Sequence, residues 1–146
     1  MKKFVGIGFA VCIVFILFLS GQSGSQAFGM TYHLALPIAG IIYDMPDYDQ
    51  ILVVMNGIRI LGRIVVFMFF GGFFTAFVYG WGGRLTQKTK NSISVSGIVL
   101  FGIFDETRKL LIDGRHCTLG EIIVNIVCGF IGAAFVLYVF DKNRKK

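Results

Sequence analysis

Apolar residues along this chain run in long blocks and do not alternate. Four blocks stand out, at about 4–21, 58–81, 93–112 and 119–140. A helix that crosses a bilayer needs roughly 20 mostly apolar residues, with a range of about 17–25. The blocks therefore predict an all-α membrane protein, a four-transmembrane-helix bundle forming one domain over 1–146. The first block reaches the necessary length only by including Ser20 and Gly21. The third is purely apolar only over 95–104, and it crosses only if Asp105, Glu106, Arg108 and Lys109 lie inside the helix near one end. The stretch between the first two blocks, about 21–57, reads as a long irregular loop. Pro37 and Pro46 punctuate it, "YDMPDYDQ" has turn character, and 32–43 is apolar enough to lie in the interface or fold back on the helices.

Composition strengthens the membrane reading. Of 146 residues, 55% are hydrophobic and only 15% charged, against about 25% charged in soluble domains. The mean hydropathy is +0.77. The net charge of +6 does not point to nucleic acid. Its basic residues gather at the termini and in one short loop, as topology signals do, and neither zinc-finger spacing nor an aromatic-basic platform is present. Lys2 and Lys3 precede the first block, Arg84, Lys88 and Lys90 separate the second and third, and Lys142, Arg144, Lys145 and Lys146 follow the fourth. The 21–57 stretch carries Asp44, Asp47 and Asp49 with no Lys or Arg. This pattern predicts a multi-pass protein of the cell membrane with both termini cytoplasmic. The 20–57 loop and the 113–118 turn then face outward, with Arg115 as the one basic residue in that turn. Lys2-Lys3, the first block and Ser25-Gln26-Ala27 also resemble a signal peptide. Retention of the first segment is the expectation, and a mature chain starting at Phe28 the alternative.

Charge inside the blocks is costly, about 2.5–3.5 kcal/mol per group at the bilayer centre and less near the interface, so its placement carries information. Asp105 lies i,i+3 from Arg108 and i,i+4 from Lys109, which puts the three on one helix face. Glu106 points about 100° away and needs another partner. Arg59 and Arg63, i,i+4 in the second block, can supply it. In the fourth block Glu121 and Asn125 are again i,i+4, and Cys128, Gly129 and Gly132 continue as a small-residue strip for close helix packing. Ser20, Gln22 and Ser23, in "SGQSGSQ", add hydroxyls and amides where the first block ends. The ligand-binding candidates are therefore Ser20, Gln22, Ser23, Arg59, Arg63, Asp105, Glu106, Arg115, Glu121 and Asn125, forming a polar site at the outer leaflet. Helix pinning by ion pairs is the competing structural role.

Other features carry blander readings. Cys12 and Cys128 sit in apolar runs and Cys117 in an exposed segment, with no disulfide framework. His33 and His116 read as solvated loop residues. Asp44, Asp47 and Asp49 lack calcium-loop spacing and read as a solvated turn. Gly71-Gly72 marks packing or bending, and Trp81 an inner-interface anchor. No metal or cofactor motif is present.

"DETRKLLIDGRHCTLGEIIVN" followed by Gly132 resembles the C-terminal signature of the VanZ-like family, approximately D-E-x-x-Q, an apolar-Pro stretch, G-R, then D-x-x-x-N-x-x-G-x-x-x-G. Asp105, Glu106, Gly114, Arg115, Asn125 and Gly132 fall on matching positions. Ser20, Gln22, Ser23 and Gly24 resemble the segment after that family's first span, and Arg59 and Phe67 its R-K-x-x-H-x-x-x-Y/F stretch. Lys109 replaces the usual Gln, Asp113 Pro, Glu121 Asp and Cys128 Gly, and Arg63 stands where His is frequent. Arg cannot shuttle protons near neutral pH, so any chemistry of that His would be missing. The resemblance implies a divergent small membrane protein of the bacterial envelope, in a family some of whose members are associated with tolerance of glycopeptide antibiotics such as teicoplanin.

Three functions fit these residues. The leading one is a non-enzymatic protein in which Arg59, Arg63 and Arg115 bind a membrane lipid or a lipid-linked cell-wall intermediate. The second is a membrane-embedded hydrolase or transferase, with Asp105 or Glu106 as general base and Ser20, Ser23 or Ser25 as nucleophile. No catalytic motif supports it, and neighbouring arginines oppose the required proton affinity. The third is a structural or assembly subunit, or a transporter fragment that would need to form a homo-oligomer.

Overall fold

The computed structural model describes residues 2–114 and 116–144. The chain is all-α, with no strand among the described residues. Five helices follow one another: α1 (Lys2–Gly21), α2 (Gly24–Tyr43), α3 (Tyr48–Trp81), α4 (Gln87–Arg108) and α5 (Leu119–Arg144), with a 3-10 turn at Lys109–Leu111 after α4. Three segments are long and apolar enough to cross a membrane: Lys3–Gly21, Tyr48–Trp81 and Leu119–Lys142. The helix over the third block is not of that kind. Lys88, Lys90, Asp105, Glu106 and Arg108 all lie within its 22 residues. The expected inclusion of Asp105, Glu106 and Arg108 in a helix holds, and Lys109 opens the 3-10 turn.

The long irregular loop between the first and second spans does not exist. Its place is taken by α2 and by the first turns of α3, which starts at Tyr48 and not near 58. Both helices begin with reciprocal caps. Ser23 and Gln26 form a capping box on α2, and Asp47 and Gln50 form one on α3. Each pair satisfies two backbone donors that a helix start leaves free. Pro37 sits inside α2, where it removes one helical hydrogen bond. Packing outweighs that loss. Ala35 and Ala39, one turn apart, are fully buried and form a cluster with Ile51 and Met55 of α3. The connecting turn, 44–47, keeps the exposed acidic character expected of "YDMPDYDQ".

Helix α3 is the hub, packed against all four others. Its 34 residues extend about 50 Å at 1.5 Å per residue, longer than the roughly 30 Å hydrocarbon core of a bilayer. Its first half pairs with α2 as an antiparallel hairpin. Its second half forms the bundle with α1, α4 and α5. Phe70 stacks on Phe101 of α4 at 4.3 Å between centroids, and Phe9 of α1 stacks on Phe74 and Phe77. Against α5 the contact is backbone on backbone. A Cβ added at Gly71 would lie 2.0 Å from the Gly129 carbonyl oxygen, and one at Gly132 only 1.9 Å from that of Met68. The small-residue strip therefore does the packing expected of it.

Candidate functional site

One end of the bundle gathers the charges. Thr118 Oγ accepts from the Glu121 amide at 3.3 Å and caps the start of α5. Glu121 thus sits in the first turn, where a carboxylate is favoured by the helix dipole. Its Oε1 accepts from Arg63 of α3 at 2.8 Å, and its Oε2 from Lys109 Nζ at 3.0 Å. Lys109 also donates to Glu106 Oε1. Asn125 Nδ2 donates to that same oxygen at 3.5 Å. A chain of polar groups therefore runs Arg63–Glu121–Lys109–Glu106–Asn125 and joins α3, α4 and α5.

Exposure falls along this chain. The side chains of Arg63 and Glu121 are 20% and 37% exposed, those of Lys109 and Glu106 3% and 0%. The network has a mouth at Arg63 and Glu121 and a closed end at Glu106 and Asn125. Buried charge of this kind persists only when paired, and Lys109 supplies that pairing by touching two carboxylates.

A second clasp ties α1 to the same end. Arg108 Nη2 donates to the Leu17 carbonyl and to Ser20 Oγ, each at 2.7 Å, and Ser20 donates to the Ile16 carbonyl at 2.9 Å. A guanidinium near the C-terminal end of a helix is placed favourably with respect to its dipole. The tip between α4 and α5 is anchored as well. The Gly24 amide donates to the Asp113 carbonyl at 3.2 Å. Gly114 adopts φ +73°, the left-handed region that favours glycine.

The predicted site residues divide accordingly. Ser20, Arg63, Asp105, Glu106, Glu121 and Asn125 lie at this end. Two expected pairings are corrected. Asp105 is buried but makes no ion pair with Arg108 or Lys109, because Arg108 turns to α1 and Lys109 to Glu106 and Glu121. Glu106 finds Lys109, not Arg59 or Arg63, as its cation. Gln22 donates to Met30 Sδ at 3.5 Å, and Ser23 serves as the α2 cap, so neither joins the network. Arg59 is exposed and has no ion pair among the described residues. Arg115 lies outside the described residues. Lys109 and Arg108 hold the arrangement together, and the sequence does not single them out as binding residues. The i,i+3 spacing of Glu106 and Lys109 was the available signal. Among the described residues no serine is hydrogen-bonded to a carboxylate; Ser20 bonds the Ile16 carbonyl and Arg108.

Four atoms at this end are buried without a partner: Asp105 Oδ1, Glu106 Oε2, Arg108 Nε and Asn125 Oδ1. Beside the charged end, an open carbon-lined crevice separates α1 from α4, walled by Phe9, Ile13, Phe74, Leu100 and Phe104. One turn beyond Ile13 and Phe104 lie Leu17 and Arg108, the two ends of the α1 clasp.

Searches of protein-family models, curated proteins and solved structures found no match for this chain.

Proposed function

We propose that this is a multi-pass membrane protein that binds the anionic head group of a lipid, or of a lipid-linked cell-wall intermediate, at the outer leaflet. The observation that carries the reading is Arg59. It is exposed, one turn from Arg63, and free of any ion pair among the described residues. A guanidinium so placed forks onto phosphate oxygens by charge-assisted hydrogen bonds. Arg63 and Glu121, partly exposed at the mouth, would receive the rest of the head group. The crevice between α1 and α4 offers an apolar surface to an acyl or isoprenoid chain.

In this reading α4 completes a set of four spans, its terminal charges sheltered by the other helices. The basic residues at both termini and at Arg84, Lys88 and Lys90 support a cytoplasmic side for those segments, with the charged end facing outward. The VanZ-like resemblance supports a role in the bacterial envelope. Masking of a cell-wall intermediate would connect it to tolerance of teicoplanin-type antibiotics. Native mass spectrometry of lipids co-purified with wild type and Arg59→Ala tests the reading. Loss of anionic lipid from the variant is expected, and identical lipid profiles would overturn it.

A further inference from the structure

Glu106 and Asn125 are joined by one hydrogen bond, from Asn125 Nδ2 to Glu106 Oε1. Both side chains are fully buried, and the remaining oxygen of each, Glu106 Oε2 and Asn125 Oδ1, has no partner. Both remaining atoms are acceptors while the carboxylate is ionised. A hydrogen on Glu106 Oε2 turns one of them into a donor. A carboxylic acid and a primary amide are self-complementary, so protonated Glu106 carries the donor that Asn125 Oδ1 lacks. Buried acceptors without partners are expensive, and one proton removes two of them.

The surrounding charges give that proton a consequence. From α3, Arg63 faces the network. From the turn after α4, Lys109 contacts Glu106 directly. From α5, Glu121 shares Lys109, and Asp105 is the neighbouring carboxylate on α4. Arg63, Arg108 and Lys109 balance Asp105, Glu106 and Glu121 while every carboxylate is ionised. Protonation of Glu106 leaves one positive charge uncompensated, shared by Lys109 and Arg63 through Glu121. We infer that Glu106 is a proton-binding site, and that taking up its proton makes the Arg63–Glu121 mouth receptive to an anionic head group. The second half of this inference rests on the head-group reading. The first half does not.

By linkage, anion binding and proton binding strengthen each other equally. Affinity for an anionic lipid rises as pH falls, by at most about tenfold per pH unit for one proton taken up. Glu106→Gln carries the donor permanently, since its amide can give a hydrogen to Asn125 Oδ1 and still accept from Lys109.

The test uses the purified full-length chain in detergent and has two arms. Infrared difference spectra across pH, without added lipid, should show a carboxylic-acid C=O band that grows on acidification. That band should vanish in Glu106→Gln and persist in Asp105→Asn and Glu121→Gln. Titration with a short-chain phosphatidylglycerol should show affinity that increases with acidity in wild type and is high and flat in Glu106→Gln. A short-chain phosphatidylcholine titration serves as the uncharged-net control. Absence of a Glu106-dependent band at every pH where the protein stays folded overturns the proton site, whatever the lipid result, and leaves water as the bridge between the two oxygens. A band with phosphatidylglycerol affinity independent of pH overturns the linkage alone. A band with no phosphatidylglycerol binding at any pH overturns the linkage together with the head-group reading, while the proton site stands.

Discussion

At Arg63, helices α3 and α5 meet through side chains: a guanidinium reaches a carboxylate, and Lys109, from the turn after α4, fills in behind. About two turns further along the same interface, at Gly71 and Gly129, nothing lies between the two backbones. One half of the contact is long-armed and charged. The other half is short, neutral and close. Steric contact fixes the distance between the helices at the glycine half, with no margin for an added methyl group. That rigid approach lets the polar half, whose flexible chains could accommodate several spacings, keep one arrangement. Packing therefore sets the geometry and charge uses it.

The largest effect should come from the close half. Gly132→Ala puts a methyl group 1.9 Å from the Met68 carbonyl oxygen, a contact that only separation of α3 and α5 can relieve. We expect a loss beyond the roughly 1–3 kcal/mol typical of overpacking, measured as thermal unfolding in detergent. Gly57→Ala is the internal contrast. It lies on α3 with nothing within 4 Å of the added atom, so it should be neutral or stabilising by up to about 1 kcal/mol through helix propensity. Equal effects at the two sites would mean that backbone contact does not set the helix spacing.

Next comes the charged half. Lys109→Met removes the cation shared by Glu106 and Glu121. Glu121 keeps Arg63, but Glu106 keeps only Asn125. Breaking a buried pair from one side costs about 3–5 kcal/mol. The penalty should be greatest at high pH, where Glu106 is ionised without its partner, and should shrink as pH falls and a proton neutralises it. Adding Glu106→Gln in the same chain should recover most of the loss at high pH. A loss in Lys109→Met that neither acid nor Glu106→Gln relieves would assign Lys109 a packing role through its alkyl stem, and the charged half would then resemble the close half.

The two halves were not equally legible in the sequence. The glycine strip was, because spacing along a helix specifies which small residues share a face, and a backbone contact leaves little freedom beyond that. At the charged end the sequence names Ser20, Arg63, Asp105, Glu106, Glu121 and Asn125, but neither their pairing nor the part played by Lys109 and Arg108. Spacing allowed Asp105 to meet Lys109 at i,i+4, but tertiary partners outside α4 decided the outcome. Lys109 turned to Glu121 twelve positions on, and Arg108 to the end of α1. Arg59 and Arg63 share a face, yet only Arg63 is paired, because Glu121 stands in the first turn of α5 and no α5 residue lies a turn beyond it to meet Arg59. The missed helix, α2, had visible signals in the capping pairs Ser23–Gln26 and Asp47–Gln50. Pro37 reads as a loop signal, yet the packing of Ala35 and Ala39 on α3 outweighs the one lost backbone bond.

The smallest effect isolates the α1 clasp, which lies at the charged end but is built from neutral acceptors. Ser20→Ala removes one of the two acceptors of Arg108 Nη2 and leaves the Leu17 carbonyl in place. Side-chain hydrogen bonds between membrane helices average roughly 0.6 kcal/mol, so a loss of that order is expected in unfolding. Arg108→Ala releases both bonds and leaves the Leu17 carbonyl and Ser20 Oγ without their shared donor, so it should cost more than Ser20→Ala. If the two variants lose the same stability, the hydroxyl carries the clasp and the charge of Arg108 adds nothing. The charged end would then consist of one network around Lys109, with α1 held by aromatic packing on Phe70 and Phe74 instead.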